Sequence, residues 1–290
     1  MGKTKEKMQI SVVDRLSPYQ RYYVAFFSII VIAPFIPMFI RAFAYQWFWP
    51  SLLPTKWWWQ ARADAWTELG WDYIFAGHSN ILEAIFNTLF IAIVVTILCT
   101  IISLPAARVI AWEKFRGKSV VEFFLLTPLI VADIAVSLGI LITFLQFGLA
   151  GSYIGVILGH LIPTIPYMVR ILTSVFQGLS KDYEEQARLL GASSLKTLWF
   201  VTIPMIFPGI MAGGLFAFLI STNIFLITFF IGQGKILTLP TILFSKVIAG
   251  GSMDAVGAEI ALMLCIPGII LLIITQRFLK EEIFAKGFGG

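Results

Sequence analysis

Residues 87–111 read NTLFIAIVVTILCTIISLPAARVIA, and no charged residue interrupts them between Asn87 and Arg108. A run of this length crosses the ~30 Å hydrocarbon core of a bilayer as an α-helix. In lipid the backbone must satisfy its own hydrogen bonds, so a continuous apolar run reads as a helix and excludes the alternating strands of a barrel. Similar runs recur along the chain and give six expected spans, at about 22–42, 83–106, 121–146, 153–176, 205–231 and 256–276. Composition agrees: 59% of residues are hydrophobic and 13% charged, about half the charge of an ordinary soluble domain. Mean hydropathy is +0.89. The fold class is therefore all-α, a polytopic helical membrane protein.

Charge placement orients these spans. Lys3, Lys5, Lys7, Arg15, Arg21, Arg108, Lys114, Arg116, Lys118, Arg170, Lys181, Arg188, Lys196, Arg277, Lys280 and Lys286 fall on one side. Only Arg41, Lys56, Arg62, Lys235 and Lys246 fall on the other. The positive-inside rule then puts both termini in the cytoplasm. The basic residues are spread over short loops, so the net charge of +5 is no nucleic-acid footprint. The first 21 residues are too polar for a signal-peptide core, which makes the first apolar run an anchor. Cys99 and Cys265 lie inside apolar runs without metal or redox spacing and read as small hydrophobes.

Between spans one and two, YQWFWPSLLPTKWWWQARADAWTELGW (residues 45–71) is rich in tryptophan. Its plainer reading is a segment lying along the outer interface, and its sharper one a ligand-binding surface. Pro163 and Pro166 are expected to kink span four.

The loop between spans four and five carries GLSKDYEEQARLLGASSLKTLWFVTIP, residues 178–204. Ser180 is a good N-cap, and Asp182, Glu184 and Glu185 fill the first turns, where the helix dipole favours negative charge. Gly191 is placed to stop this helix and Ser193 to cap a second one running towards Pro204. Tyr183, Ala187 and Leu190 share a face by spacing. The pattern by itself suits either a solvated, well-capped loop or a knob that inserts into a groove on another protein.

Ionisable and amide residues within spans are functional candidates by default. Asp133 falls near the centre of span three, Glu259 near the outer end of span six, Asn223 in the outer half of span five and Asn87 at the start of span two. With no lysine or arginine expected in the span interiors, Asp133 would be protonated, paired with a partner subunit or facing water. A structural hydrogen bond is the plainer role for it, a substrate contact the sharper. RGKS at 116–119 ends like a phosphate-binding loop, but Trp112 stands where its first glycine belongs. GQGK at 232–235 fails as well. His78 and His160 have no second ligand at metal spacing, and no nucleophile–base set is present, so the subunit is not expected to be an enzyme.

The stretch EEQARLLGASSLKTLWFVTIPMIFPGI (184–210) closely resembles the EAA loop of ABC importer permeases. There a Glu-Ala-Ala triplet is followed by three residues and glycine, here Glu185-Gln186-Ala187 and Gly191, with Gln186 departing from the pattern. The resemblance runs over roughly residues 81–278 and includes NTLFIAIVVTILCTIISLPAARVIA and FRGKS. It implies a type I ABC importer permease subunit of the bacterial inner membrane. The implied organisation is a first helix with its outer loop (1–80), a core permease domain (81–278) and a cytoplasmic tail (279–290). The loop 178–204 would hold a coupling helix at 181–191, with Tyr183, Glu184, Glu185, Ala187, Leu190, Gly191 and Ala192 meeting the ATPase. Implied partners are two cytoplasmic ATPase subunits, a second permease subunit and a periplasmic or extracellular substrate-binding protein. ATP and Mg would sit on the ATPases, with no cofactor on this chain.

Residues 236–262, ILTLPTILFSKVIAGGSMDAVGAEIAL, are similar to polyamine permeases, which implies a cationic substrate and a heterodimer. Thr222-Asn223 stands where those permeases carry an acidic pair, leaving aminoethylphosphonate, ferric iron, thiamine or an oxyanion as alternatives. A self-contained secondary transporter would instead call for two related halves with broken helices, and none are seen.

Overall fold

A computed structural model describes residues 17–47, 50–61, 70–75, 79–249 and 254–287. Its first element, α1 (Pro18–Ile32), starts on a capping box. The Gln20 N–H donates to the Ser17 hydroxyl at 3.4 Å, and the Ser17 N–H donates to the Gln20 side chain at 2.9 Å. Two N–H groups that a helix start leaves orphaned are thereby satisfied. Helix α2 (Phe35–Ala42) follows Pro34 at a bend of 42°. A proline ring removes a backbone donor and crowds the preceding turn, which accounts for the bend.

Parts of the Trp-rich segment form regular structure. β1 (Ala44–Gln46) pairs antiparallel with β2 (Lys56–Trp57), and the short helices α3 (Trp58–Ala61) and α4 (Trp71–Phe75) follow. The indole of Trp71 donates to the Ala42 carbonyl at 3.0 Å and that of Trp47 to the Ser51 carbonyl at 2.8 Å. Part of the segment, residues 62–69, lies outside the described residues, as does His78.

The remaining helices are α5 (Ile81–Trp112), α6 (Lys118–Ile130), α7 (Asp133–Gln146), α8 (Tyr153–Gln177), α9 (Asp182–Leu189), α10 (Ser194–Thr197), α11 (Ile203–Asn223), α12 (Leu226–Gly232), α13 (Leu239–Ala249) and α14 (Asp254–Gly287). A π-helical turn, Leu198–Thr202, joins α10 to α11. By length and composition α5, α8, the run Ser194–Asn223 and Ala255–Ile274 can each cross a membrane. Six spans result when the bent pairs α1–α2 and α6–α7 each count as one.

Three expectations about the spans are corrected. Span three is not one straight helix: α6 and α7 meet at 104°. Val131 and Ala132 are extended there, and Pro128 has already weakened the last turn of α6 by removing a donor. Span five does not reach residue 231. It stops at Asn223, where Ile224 turns extended, and 226–232 form the separate helix α12. Arg170, counted with the inner loops, lies inside α8 two turns before its end, so span interiors are not free of basic residues. Pro163 and Pro166 sit within α8, which runs through them as one helix.

Helices α5, α8 and α11 form the centre, burying Ile91, Val95, Cys99, Met168, Leu172, Phe176, Ile206 and Ala217. Close approach of α11 to α8 depends on glycine. A Cβ on Gly209 would lie 2.6 Å from Val175, and one on Gly213 would strike Met168. His160, fully buried on α8, ties the break between α11 and α12 together. Its Nδ1 is 3.0 Å from the Ser221 hydroxyl and its Nε2 2.8 Å from that of Thr228. A second apolar cluster, with Ile74, Ile81, Leu239, Ile242, Val256 and Ile260, joins α4, α13 and α14 to the start of α5.

Candidate functional site: the loop between the fourth and fifth spans

The charged loop folds as a short helix, a glycine turn and a second short helix. Ser180 is one residue off the N-cap: Lys181 occupies that position without a side-chain bond, while the Ser180 hydroxyl accepts from the Asp182 N–H at 3.2 Å. At the other end the Gly191 N–H donates to the Arg188 carbonyl at 2.9 Å and the Ala192 N–H to the Ala187 carbonyl at 3.0 Å. This is the Schellman arrangement, and it requires the positive φ of +87° that Gly191 supplies. Ser193 then caps α10 by accepting from the Lys196 N–H.

One carboxylate bolts this unit to the helix bundle. Glu184 is buried, at 5% exposure, and takes a two-pronged bond from Arg108 near the end of α5: Nε donates to Oε1 at 3.2 Å and Nη2 donates to Oε2. The hydroxyl of Thr202, in the π turn that leads into α11, donates to Oε1 at 2.7 Å. Arg188, one turn on, brings a second guanidinium to 3.9 Å. Burial alone would push the Glu184 carboxyl up. The bonds from Arg108 and Thr202, with the charges of Arg108 and Arg188, outweigh it and hold the group below its ordinary value. Arg108 in turn lies 5.3 Å over the Trp112 ring, and the Trp112 indole donates to the Phe176 carbonyl at 2.9 Å. A second, exposed pair joins Lys181 to Glu113 at 2.9 Å. Three elements thus meet at one end of the loop: α5 through Arg108, α8 through Phe176, and the π turn at the foot of α11 through Thr202.

The opposite side of the loop is bare. Leu189 and Leu190 are 86% and 89% exposed, Tyr183 and Leu195 are exposed, and so is Glu185. Ala187 and Ala192 are half-buried. Sequence spacing had grouped Tyr183, Ala187 and Leu190 on one face. In the structure Tyr183 and Leu190 are exposed and Ala187 half-buried, Glu184 takes the buried side, and an apolar tip stands around the Gly191 turn.

The four polar residues proposed within the spans do not come together, and no hydrogen bond or ion pair joins any two of them. Asn87 is buried: its side chain donates to the Leu237 carbonyl at 2.9 Å and accepts from the Tyr153 hydroxyl at 2.8 Å. Beside it Thr88 accepts from the Leu239 N–H at 2.8 Å. These bonds pin the α12–α13 connection to α5. Asp133 opens α7 at the bend and is exposed rather than enclosed in a helix centre. Asn223 is also exposed, at the end of α11, with its amide donating to the Leu219 carbonyl at 2.8 Å. Glu259 is 1% exposed and its Oε2 has no hydrogen-bond partner. Among the described residues no group of three His, Cys, Asp or Glu side chains could hold a metal ion.

The family described as binding-protein-dependent transport system inner membrane component matches residues 101–281, which is more than half of the chain. The chain belongs to this family. Among its relatives, the putrescine transport system permease protein PotI of Escherichia coli is 28% identical over 186 residues. That match spans 62% of this chain and 66% of the relative, just under two thirds of its length. The spermidine/putrescine transport system permease protein PotC of Shigella flexneri is 25% identical over 220 residues, 76% of this permease and 82% of the relative. The molybdate/tungstate transport system permease protein WtpB of Pyrococcus furiosus is 31% identical over 137 residues, 47% and 55% of the two chains. A bacterial ABC transporter involved in import of the acidic polysaccharide alginate shares the fold, with a TM-score of 0.69 at 19% identity, covering 91% of this permease and 98% of that chain. The permease thus has an ABC importer permease fold and is a membrane transport component.

Proposed function

We propose that this permease supplies half of the pathway of an ATP-driven importer and that α9 is its coupling helix. The observation that carries this reading is the two-sided character of the loop: Glu184 is bonded to α5 and the foot of α11, while Leu189 and Leu190 stand almost fully exposed at the tip. Large apolar side chains at a well-ordered turn favour burial in a partner's groove. Two cytoplasmic ATPase subunits provide such grooves and carry the ATP and Mg; a second permease completes the pathway as a heterodimer. A substrate-binding protein delivers solute from outside, and both termini face the cytoplasm. ATP shifts the equilibrium because it binds the closed ATPase pair better, and the Glu184 bolt passes that shift to α5 and α11.

For the solute we propose a small cation of the polyamine type, following the relatives named for putrescine and spermidine. The exposed carboxylate of Asp133 at the α6–α7 bend suits a cation, with Asn223 a second exposed polar group. Asn87 is taken up by its bonds to Leu237 and Tyr153, and Glu259 is buried away from solvent in this subunit. The relative named for molybdate and tungstate supports an oxyanion as the second reading.

The test is capture of the tagged permease from native membranes, with the retained ATPase measured for wild type, Glu185→Arg and Leu190→Asp. Wild type retains an ATPase and a second permease, and each substitution lowers ATPase retention at least tenfold. A wild-type chain that is retained alone and moves solute without ATP ends this reading.

A further inference from the structure

A cavity of about 310 Å³ lies between α5, α6 and α8 at the end of the bundle nearest α9, lined by Glu122, Arg170, Thr173, Ser174 and Gln177 together with Ile110. Its polar character is out of place among spans. Glu122 lies one turn into α6 and Arg170 two turns from the end of α8, roughly 6–10 Å from the helix ends at 1.5 Å per residue. With the helix ends at the membrane surface, Glu122 falls in the headgroup layer, about 5–7 Å thick on each side, and Arg170 reaches it by extending its long stem. Among the described residues neither Arg170 nor Glu122 takes part in an ion pair.

Thr173 supplies an independent observation. In this bundle Thr88, Thr96, Thr100, Thr127, Thr143, Thr164 and Thr222 each return their hydroxyl to the carbonyl four residues back. Thr173 does not. It is 7% exposed, it lines the cavity, and its hydroxyl has no partner. A buried hydroxyl without a partner is unfavourable, so a ligand that bonds to it is favoured at this position.

We propose that this cavity binds a zwitterionic group that pairs an anion with a primary amine, the phosphoethanolamine headgroup of a membrane lipid. Arg170 takes the phosphate, for which a guanidinium fork is suited. Glu122 takes the ammonium. Thr173, Ser174 and Gln177 bond the remaining phosphate and ester oxygens. A purely anionic headgroup such as phosphatidylglycerol would satisfy Arg170 but meet repulsion from Glu122. The α6 wall carries Val120, Val121, Phe123 and Phe124 exposed, a surface along which acyl chains lie. Gln177 is also the last residue of α8 before the loop to α9, so an occupied cavity stiffens the helix that leads into that loop.

The experiment uses the permease complex purified from native membranes and exchanged into micelles doped with phosphatidylethanolamine or phosphatidylglycerol. Retained lipid is counted by native mass spectrometry. Wild type retains phosphatidylethanolamine over phosphatidylglycerol by about fivefold, the scale of one partly exposed ion pair. Arg170→Gln lowers retention of both lipids, Thr173→Val lowers it without changing the preference, and Glu122→Gln reverses the preference by removing the repelling carboxylate. That reversal is not an effect of loosened packing, and it holds the proposal open to refutation if Arg170→Gln fails to assemble. A parallel arm adds soluble glycerophosphoethanolamine: no displacement of the lipid identifies a headgroup site, and full displacement at matched concentration identifies a site for the free solute. Equal retention of both lipids, unchanged by all three substitutions, overturns the proposal.

Discussion

Glu184 is the residue on which the loop turns, although three carboxylates crowd residues 182–185 and sequence reading gave them similar roles. What separates it is its position opposite Arg108, 76 residues earlier, together with Thr202. Neither partner carries a local signal in the sequence, since Arg108 reads as one more positive-inside residue and Thr202 as part of an apolar run. Glu184→Gln keeps the shape and removes the charge. A fully buried pair broken in this way costs about 3–5 kcal/mol. Arg108 keeps 29% of its side-chain exposure, so about 2 kcal/mol is expected. The loss should register as faster hydrogen exchange in α9 with α8 amides unchanged. The pH dependence has a definite sign. Because the folded carboxyl is held below its ordinary value of 4.5, its contribution is complete above 4.5 and lost as pH falls through the lowered value. Wild-type α9 exchange, corrected for intrinsic rates, stays flat from pH 7 to 5 and rises only below 4.5, whereas Glu184→Gln is fast throughout.

Among the elements, the sequence made helices legible and their bends illegible. Hydrophobic runs count residues that must avoid water, and that count is the same for a straight span as for α6 and α7 meeting at 104°. The bend falls at Val131–Ala132, after Pro128, whereas Pro163 and Pro166, the more conspicuous pair, sit inside one continuous α8. Neighbouring helices decide which proline breaks a span, and no local pattern reports them. Glycine spacing is similarly ambiguous until the facing side chain is known. Gly209 and Gly214 both lie on α11, yet a Cβ at Gly209 would meet Val175 at 2.6 Å while one at Gly214 finds only the Thr96 methyl at 3.7 Å. Val175 is β-branched and stiff, with little room to yield. Gly209→Val should therefore cost about 2 kcal/mol or more through overpacking and lower the Tm of the purified complex by at least a few degrees. Gly214→Ala should leave Tm within a degree, and equal shifts for the two would contradict the α8–α11 contact described above.

At the scale of the whole molecule, the α9 loop and the α7–α8 and α12–α13 connections lie at opposite ends of the long helices α8 and Ser194–Asn223. The α7–α8 turn is held to α12 by a Gly151 N–H to Ile231 carbonyl bond of 2.7 Å, so these two connections share one end. If Leu190 faces the cytoplasm, Phe147 and Gly234 must face outward, whatever the route of the first span. The bias of lysine and arginine predicts this sidedness, and cysteine labelling checks it with few assumptions. Cys99 is buried, whereas Cys265 is exposed on α14, so the background is Cys265→Ser. In intact cells a membrane-impermeant maleimide should label Phe147→Cys and Gly234→Cys and spare Leu190→Cys until the membrane is opened. Labelling of Leu190→Cys in intact cells would place α9 outside, away from any ATPase, and the coupling reading would fall with it. Protection of Leu190→Cys in opened membranes that is lifted by stripping the peripheral subunits would show instead that the apolar tip is covered by a partner.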